Sequence, residues 1–275
     1  MTACGMKLPK ISIITPSYNQ ALYLEQSIQS VLSQEYPDLE YIIVDGDSKD
    51  GSVDVISKYN SSITWWVSEP DKGQSDALNK GFARATGDII GWLNSDDTYQ
   101  PGTLAKVAEI FKDDSITIAM SEYFGFMNDA GAIYDYKINK YIDHKTLIRY
   151  WETNGMTINQ PCVFFRRELI KTMCPVLDVS LNYAMDYDLW LRLCSVKPFH
   201  VVPGHWANYR FHDESKSGKG FDSFYLEWRL VSRRYWGRQY SPGWLGHWFS
   251  WHCHNKFRTI IANIKKLFHA KRKTA

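Results

Sequence analysis

The first hundred residues alternate short apolar, β-branched runs with longer amphipathic stretches. Ile11 to Ile14 reads as a buried strand, and the stretch beyond it sets Leu24, Ile28, Val31 and Leu32 on one helical face. Tyr41 to Val44 is the next strand, and Val53 to Tyr59 the next helix. Ile63 to Val67 and then Ser75 to Ala85, ended by Gly87, repeat the pair. Ile89 to Leu93 follows, with Pro101-Gly102 opening a helix through Phe111. This alternation predicts an α/β fold, a mostly parallel sheet with helices on both faces. Ligands bind such sheets in the crevice outside the carboxyl ends of the strands. The conspicuous polar residues gather at those ends: Thr15 to Asn19, Asp45 to Asp50, Glu69 to Asp76 and Asn94 to Asp97.

Beyond a strand at Ile116 to Met120 the pattern weakens. Residues 121–160 mix aromatic and polar positions, which predicts irregular strands and a helix. Asp186 to Cys194 again reads as a helix. From Tyr225 the chain turns rich in tryptophan, tyrosine and arginine, then lysine. A chain of 275 residues can bury one large core and an appended region. We therefore expect one catalytic domain over 1–224 and an aromatic, basic helical extension over 225–275.

Each strand-end loop admits a structural and a chemical reading. Asp96 and Asp97 are costly to bury side by side unless a cation, donors or water compensate them. A divalent cation already held by phosphates needs only one or two protein carboxylates. An Asx-capped turn before the helix at Thr103 accounts for the same residues. Asp45-Gly46-Asp47-Ser48 is either a glycine-containing turn or a nucleoside site, with Asp45 accepting from a base or ribose. Lys72 suits a phosphate or base contact, while Asp76 or Ser75 suits a ligand or a helix cap. No GxGxxG or GxxxxGK[ST] phosphate cradle is present.

In order and spacing, these segments resemble family 2 glycosyltransferases of the GT-A fold. The likeness rests on Thr15-Pro16-Ser17-Tyr18-Asn19, on Val44 to Ser52, on Asp76 to Gly81 and Ala85 to Asp88, and on Leu93 to Asp97 with Pro101-Gly102. It is dense over residues 10–105 and thinner over Met185 to Ser217. The resemblance implies inverting sugar transfer from a nucleoside diphosphate sugar, preferably a UDP-sugar, to a glycan or lipid-linked glycan hydroxyl, with Mn²⁺ or Mg²⁺. It further implies that Thr15, Pro16, Tyr18, Asn19, Asp45, Asp47, Lys72, Asp76, Asn94 and Ser95 border the donor. Asp45 would contact the base, Asp96 would be the main metal ligand, and Asp97 would support metal or donor. Asn94 replaces the first carboxylate of the DxD-type motif, leaving an amide to meet a ribose hydroxyl. Asp47 replaces a small residue. Met185-Asp186-Tyr187-Asp188 resembles the family's acidic helix entrance, with Asp186 at the catalytic base position and Met185 in place of an acidic neighbour. As a residue type, a carboxylate suits taking the acceptor's proton; an N-cap role for Asp186 competes with it. In Tyr209 to Ser217 the resemblance points to His212 as a metal or diphosphate contact, with Arg210 or Lys216 on the departing phosphate.

Composition narrows the alternatives. A net charge of +2 argues against a nucleic-acid footprint over the whole surface. Cys4, Cys162, Cys174, Cys194 and Cys253 are scattered, odd in number and without a CxxC pair, which favours reduced thiols in the cytoplasm. No signal peptide is expected, and no run of 18 apolar residues occurs. Phe257, Ile260, Ile261, Ile264, Leu267 and Phe268 form a helical stripe among lysines and arginines, downstream of Trp244, Trp248 and Trp251. Residues 244–273 therefore suit either an anionic membrane surface at the cytoplasmic face or packing on the core. A sugar-phosphate nucleotidyltransferase lacks its basic glycine-rich loop here, and a non-catalytic glycan- or membrane-binding protein would tolerate Asn94 and Met185.

Overall fold

The computed structural model describes residues 8–138, 143–148, 158–216 and 222–236. Four parallel strands build the first half: β1 (Ile11–Ser17), β2 (Leu39–Asp45), β3 (Trp65–Ser68) and β4 (Ile89–Trp92). Between and after them run α1 (Ala21–Leu32), α2 (Ser52–Lys58), α3 (Gln74–Arg84) and α4 (Thr103–Ile110). The second half adds β5 (Thr98–Tyr99), β6 (Ile118–Met127), β7 (Ile133–Ile138), β8 (Val163–Arg166) and β9 (His200–Arg210). Its helices are α5 (His144–Ile148), α6 (Met185–Cys194) and α7 (Asp222–Trp236). The nine strands of the described residues join one sheet in the order β3-β2-β1-β4-β8-β6-β9-β5, with β7 on β6.

The sheet is parallel from β3 to β4, then mixed. β8 runs antiparallel to both β4 and β6, whereas β9 runs parallel to β6. The strand expected at Ile63 lies two residues later, and the one expected at Ile116–Met120 continues to Met127. A boundary at residue 224 falls inside α7, whose Val231 and Ser232 are buried.

Strand periodicity explains the two-sided core. Neighbouring residues point to opposite faces, so Ile14, Ile42, Ile90 and Phe165 join a cluster with Leu78, Phe82 and Trp190. Ile13, Ile43, Ile89 and Phe164 join another with Leu24, Ile28, Val31, Leu104 and Trp206. Gly91 is required where side chains of the second cluster close on the β4 backbone. A Cβ there would lie 2.6 Å from Phe164 Cε1 and 2.7 Å from Ile13 Cδ1, both on buried side chains. Gly91→Ala is expected to lower the unfolding free energy by about 1–3 kcal/mol, measured by urea denaturation.

Candidate active site

The carboxyl ends of β1, β2 and β4 meet at one edge because β1 lies between its two parallel partners. Two loops there are tied together by side chains. Asn19, at φ +53°, donates its backbone N–H to Ser48 Oγ (2.8 Å) and accepts at Oδ1 from Lys49 N (2.9 Å). Thr15 and Pro16 are buried beneath this edge, and Tyr18 is exposed on it.

Asp45 is wholly buried, with acceptor bonds from Ser48 N (2.9 Å), Ser48 Oγ (2.6 Å) and Ser68 Oγ (2.7 Å). These fix the carboxylate at the floor of the crevice. Asp47, in the left-handed region at φ +66°, pairs with Lys49 at 2.5 Å. Lys72 is exposed, and its backbone N–H donates to Asp76 Oδ2 at 3.2 Å. Asp71, which sequence reasoning did not single out, stands over Gly46: a Cβ there would lie 2.8 Å from Asp71 Oδ2 and 3.2 Å from the Tyr18 ring. Burial, with the charges of Asp76 and Asp45 behind it, raises the Asp71 pKa.

The acidic turn is held from below. Asn94 Oδ1 accepts from Gln74 Nε2 (2.7 Å) and Trp92 Nε1 (2.8 Å), while Nδ2 donates to Gln160 Oε1 (3.0 Å) and Asp97 Oδ2 (3.2 Å). Both donors and both lone pairs of the amide are thereby engaged with protein. Ser95 is buried in the turn. Asp97 is wholly buried and also accepts from Arg210 N at 2.9 Å. Burial first, then the Asp96 carboxylate, holds its pKa well above the usual range.

Arg210, expected to face the departing phosphate, directs its guanidinium at the protein. It donates to Asp96 O (2.8 Å), Asn128 O (2.6 Å), Asp129 O (3.0 Å) and Gln26 Oε1, and stacks 4.8 Å from the Tyr23 ring centre. Such a buried fork suits fixing backbone carbonyls. Asp96 remains as the carboxylate of the turn that meets His212, with Oδ2 and Nε2 3.1 Å apart.

One oxygen and one imidazole nitrogen so placed suit a divalent cation whose other ligands come from a diphosphate. Among the described residues no three His, Cys, Asp or Glu side chains converge to hold a cation alone. Asn94→Asp, which restores the carboxylate of the motif, is expected to do harm. It replaces the Nδ2 amine, which donates twice, by one oxygen facing both Asp97 Oδ2 and Gln160 Oε1. The expected cost is about 1–3 kcal/mol in urea unfolding, with no gain in Mn²⁺ affinity by titration.

A cavity of about 140 Å³ connects this turn to α6. Asn94, Gln160, Met185, Asp186, Trp190 and Lys216 are among the residues that line it. Asp186 Oδ1 accepts from Tyr187 N at 2.7 Å, a bond inside the first turn of α6. The residue keeps some surface open to the cavity, yet enclosure of its carboxyl dominates and pushes the pKa up to about 6. Lys216 is an exposed residue whose ammonium donates to Asn182 O at 2.5 Å. Burial of that end brings its pKa down to about 8, against the pull of Asp186, Glu227 and Asp96.

Gln160 and Glu227 belong to this neighbourhood and escaped the sequence reading. Gln160 precedes a proline and a four-residue strand, a pattern that marks a loop and no more. The tryptophan-rich segment and the apolar stripe of residues 244–273, and Ser217, lie outside the described residues. Among the described residues no helix is long and apolar enough to cross a membrane.

A model of the family described as Glycosyl transferase family 2 matches residues 12–174. An uncharacterized glycosyltransferase of Nostoc sp. is 38% identical over 114 residues, 40% of this chain and 35% of that protein. The chain spans 35% to 65% of the length of the first curated relatives it matches. The crystal structure of Staphylococcus aureus TarS 1-349 in complex with UDP-GlcNAc aligns with TM-score 0.64 and 18% identity, over 81% of this chain and 65% of that one. The mannosyltransferase PcManGT of Pyrobaculum calidifontis, in complex with GDP-Man and Mn²⁺, aligns with TM-score 0.56 and 18% identity, over 82% of this chain and 61% of that one. At such identity the two structures speak for the fold, a GT-A sheet flanked by helices. The family model covers more than half of the chain, and the chain belongs to glycosyl transferase family 2.

Proposed function

We propose that this protein transfers a sugar, with inversion, from a nucleoside diphosphate sugar to a hydroxyl of a glycan or lipid-linked glycan. The observation that carries the reading is one cavity shared by the acidic turn, through Asn94, and by the half-buried Asp186. A donor held at the strand ends and an acceptor entering by α6 would meet there.

In this reading Asp45, fixed by three hydrogen bonds, accepts from the nucleoside base, with Tyr18 and Asp71 beside it. We take the base to be uracil. Thr15, Pro16, Asn19, Asp47, Lys72, Asp76 and Ser95 border the donor, while Asn94, Asp97 and Arg210 keep the acidic turn in place. Asp96 and His212 would hold Mn²⁺ or Mg²⁺, which when bound offsets charge on the leaving diphosphate. Lys216 adds positive charge on the same side.

Asp186 takes the proton of the acceptor hydroxyl as that oxygen attacks the anomeric carbon and the carbon–diphosphate bond breaks. A carboxyl with pKa near 6 is ionised at neutral pH and still basic enough for that task. We place the site at the cytoplasmic side, with residues 244–273 as its candidate membrane contact.

The test is incubation with UDP-glucose, UDP-galactose, their N-acetylated forms, GDP-mannose and deoxythymidine diphosphate sugars in the presence of Mn²⁺. Release of nucleoside diphosphate from at least one is expected. Absence of release across the panel contradicts the proposal.

A further inference from the structure

Helix α6 begins without a cap of its own: Ala184 stands at its N-cap and no side chain of that segment bonds to the turn from outside the helix. The chain supplies the missing acceptor from 43 residues away. Glu227 Oε2 accepts from Tyr183 N (2.6 Å) and Ala184 N (2.9 Å), and both carboxylate oxygens lie 3.0 Å from Asn182 N. Lys216 grips the same segment from its carbonyl side, at Asn182 O. Tyr183 packs on Phe224 of α7 with ring centres 4.8 Å apart. Ser232 Oγ to Ile148 O (2.9 Å) and Arg234 to Asp178 (2.8 Å) tie α7 down further along.

We infer that Glu227 is a positioning residue for Asp186, holding the entrance of α6 so that the carboxylate two residues beyond Ala184 faces the cavity. The inference rests on the reading of Asp186 as the base. Burying a carboxylate costs free energy unless donors compensate it, and three converging N–H groups do so here. The same negative charge stands close enough to Asp186 to favour its protonated form, with Lys216 opposing it. Among the described residues, Lys216 and Glu227 are the charged groups that act most strongly on Asp186, from the loop after β9 and from α7 respectively. Helix α7 is thus part of the machinery that places the base.

The experiment compares Glu227→Ala, Glu227→Gln and Asp186→Asn with the parent, reading nucleoside diphosphate release with water as acceptor and donor affinity in Mn²⁺. Glu227→Ala is expected to slow release by about 10- to 100-fold, as a small misplacement of a reacting group does. Donor affinity should stay within about twofold of the parent, because the hydrogen bonds of Glu227 go to the entrance of α6 and not to the strand-end loops. Glu227→Gln keeps the shape with a single acceptor oxygen, so its rate should fall between the two. In Glu227→Gln the acid limb of the pH–rate profile should also move to lower pH, a change that a merely structural role would not produce. If Glu227→Ala does not fold, Glu227→Gln carries the test alone. Parental rates and a parental acid limb in the folded variants, beside a slow Asp186→Asn, overturn the role of Glu227 alone. A parental rate in Asp186→Asn overturns the reading of Asp186 instead, and the inference with it.

Discussion

Asp186→Asn is expected to lower turnover of the nucleotide sugar by about 10²- to 10⁴-fold, the range that loss of a general base costs. Donor affinity should not change. The amide keeps the size of the carboxylate and can still accept from Tyr187 N, so α6 retains that first-turn bond. What it loses is the ability to take a proton. The pH dependence gives the sign. The base acts ionised, and its folded pKa lies near 6, so parental activity should rise as pH increases through about 6. It should fall again above about 8, where Lys216 loses its charge. In Asp186→Asn the acid limb should disappear. A variant that keeps both its rate and its acid limb would place the base elsewhere.

Asp96→Ala should produce the second large effect, on binding. It removes the one carboxylate of the turn that meets His212, while Asp97 stays buried under Arg210 N and Asn94 Nδ2. Loss of a direct ligand is expected to exceed the roughly 10- to 100-fold that outer-shell losses cost in metal affinity. Donor affinity in Mn²⁺ should fall to the level seen without metal. His212→Ala removes the nitrogen and leaves the carboxylate, so it should give a smaller loss in the same Mn²⁺ titration. Equal Mn²⁺ dependence of donor binding in Asp96→Ala and the parent would move the cation site away from the turn.

The parallel half of the sheet was legible because its information is local. Ile11 to Ile14, Tyr41 to Val44 and Ile89 to Leu93 are runs whose neighbours fill opposite cores, and each ends in the polar loop that the structure brings to the edge. The mixed half was less so. β8 is four residues long, and β9 carries Pro203 and Gly204 with exposed and buried positions out of alternation. Its place beside β6 is set by pairing between residues some 80 positions apart, such as Ala119 with His200.

The site divides in the same way. Asp45, Asp96 and Asp186 follow recognisable local patterns. The work of Asn94 and Arg210 does not, because it depends on Gln74, Gln160, Gln26 and Asn128 arriving from other elements. Glu227 lies in an aromatic, basic stretch whose composition says nothing of the three N–H groups it meets.

The most direct test is calorimetric titration of the parent and Asp96→Ala with the nucleotide sugars of the panel, at several Mn²⁺ concentrations. At least one nucleotide sugar should bind the parent with an affinity that rises with Mn²⁺, and this dependence should vanish in Asp96→Ala. A parent protein that binds no nucleotide sugar at any Mn²⁺ concentration would contradict a donor site at the acidic turn.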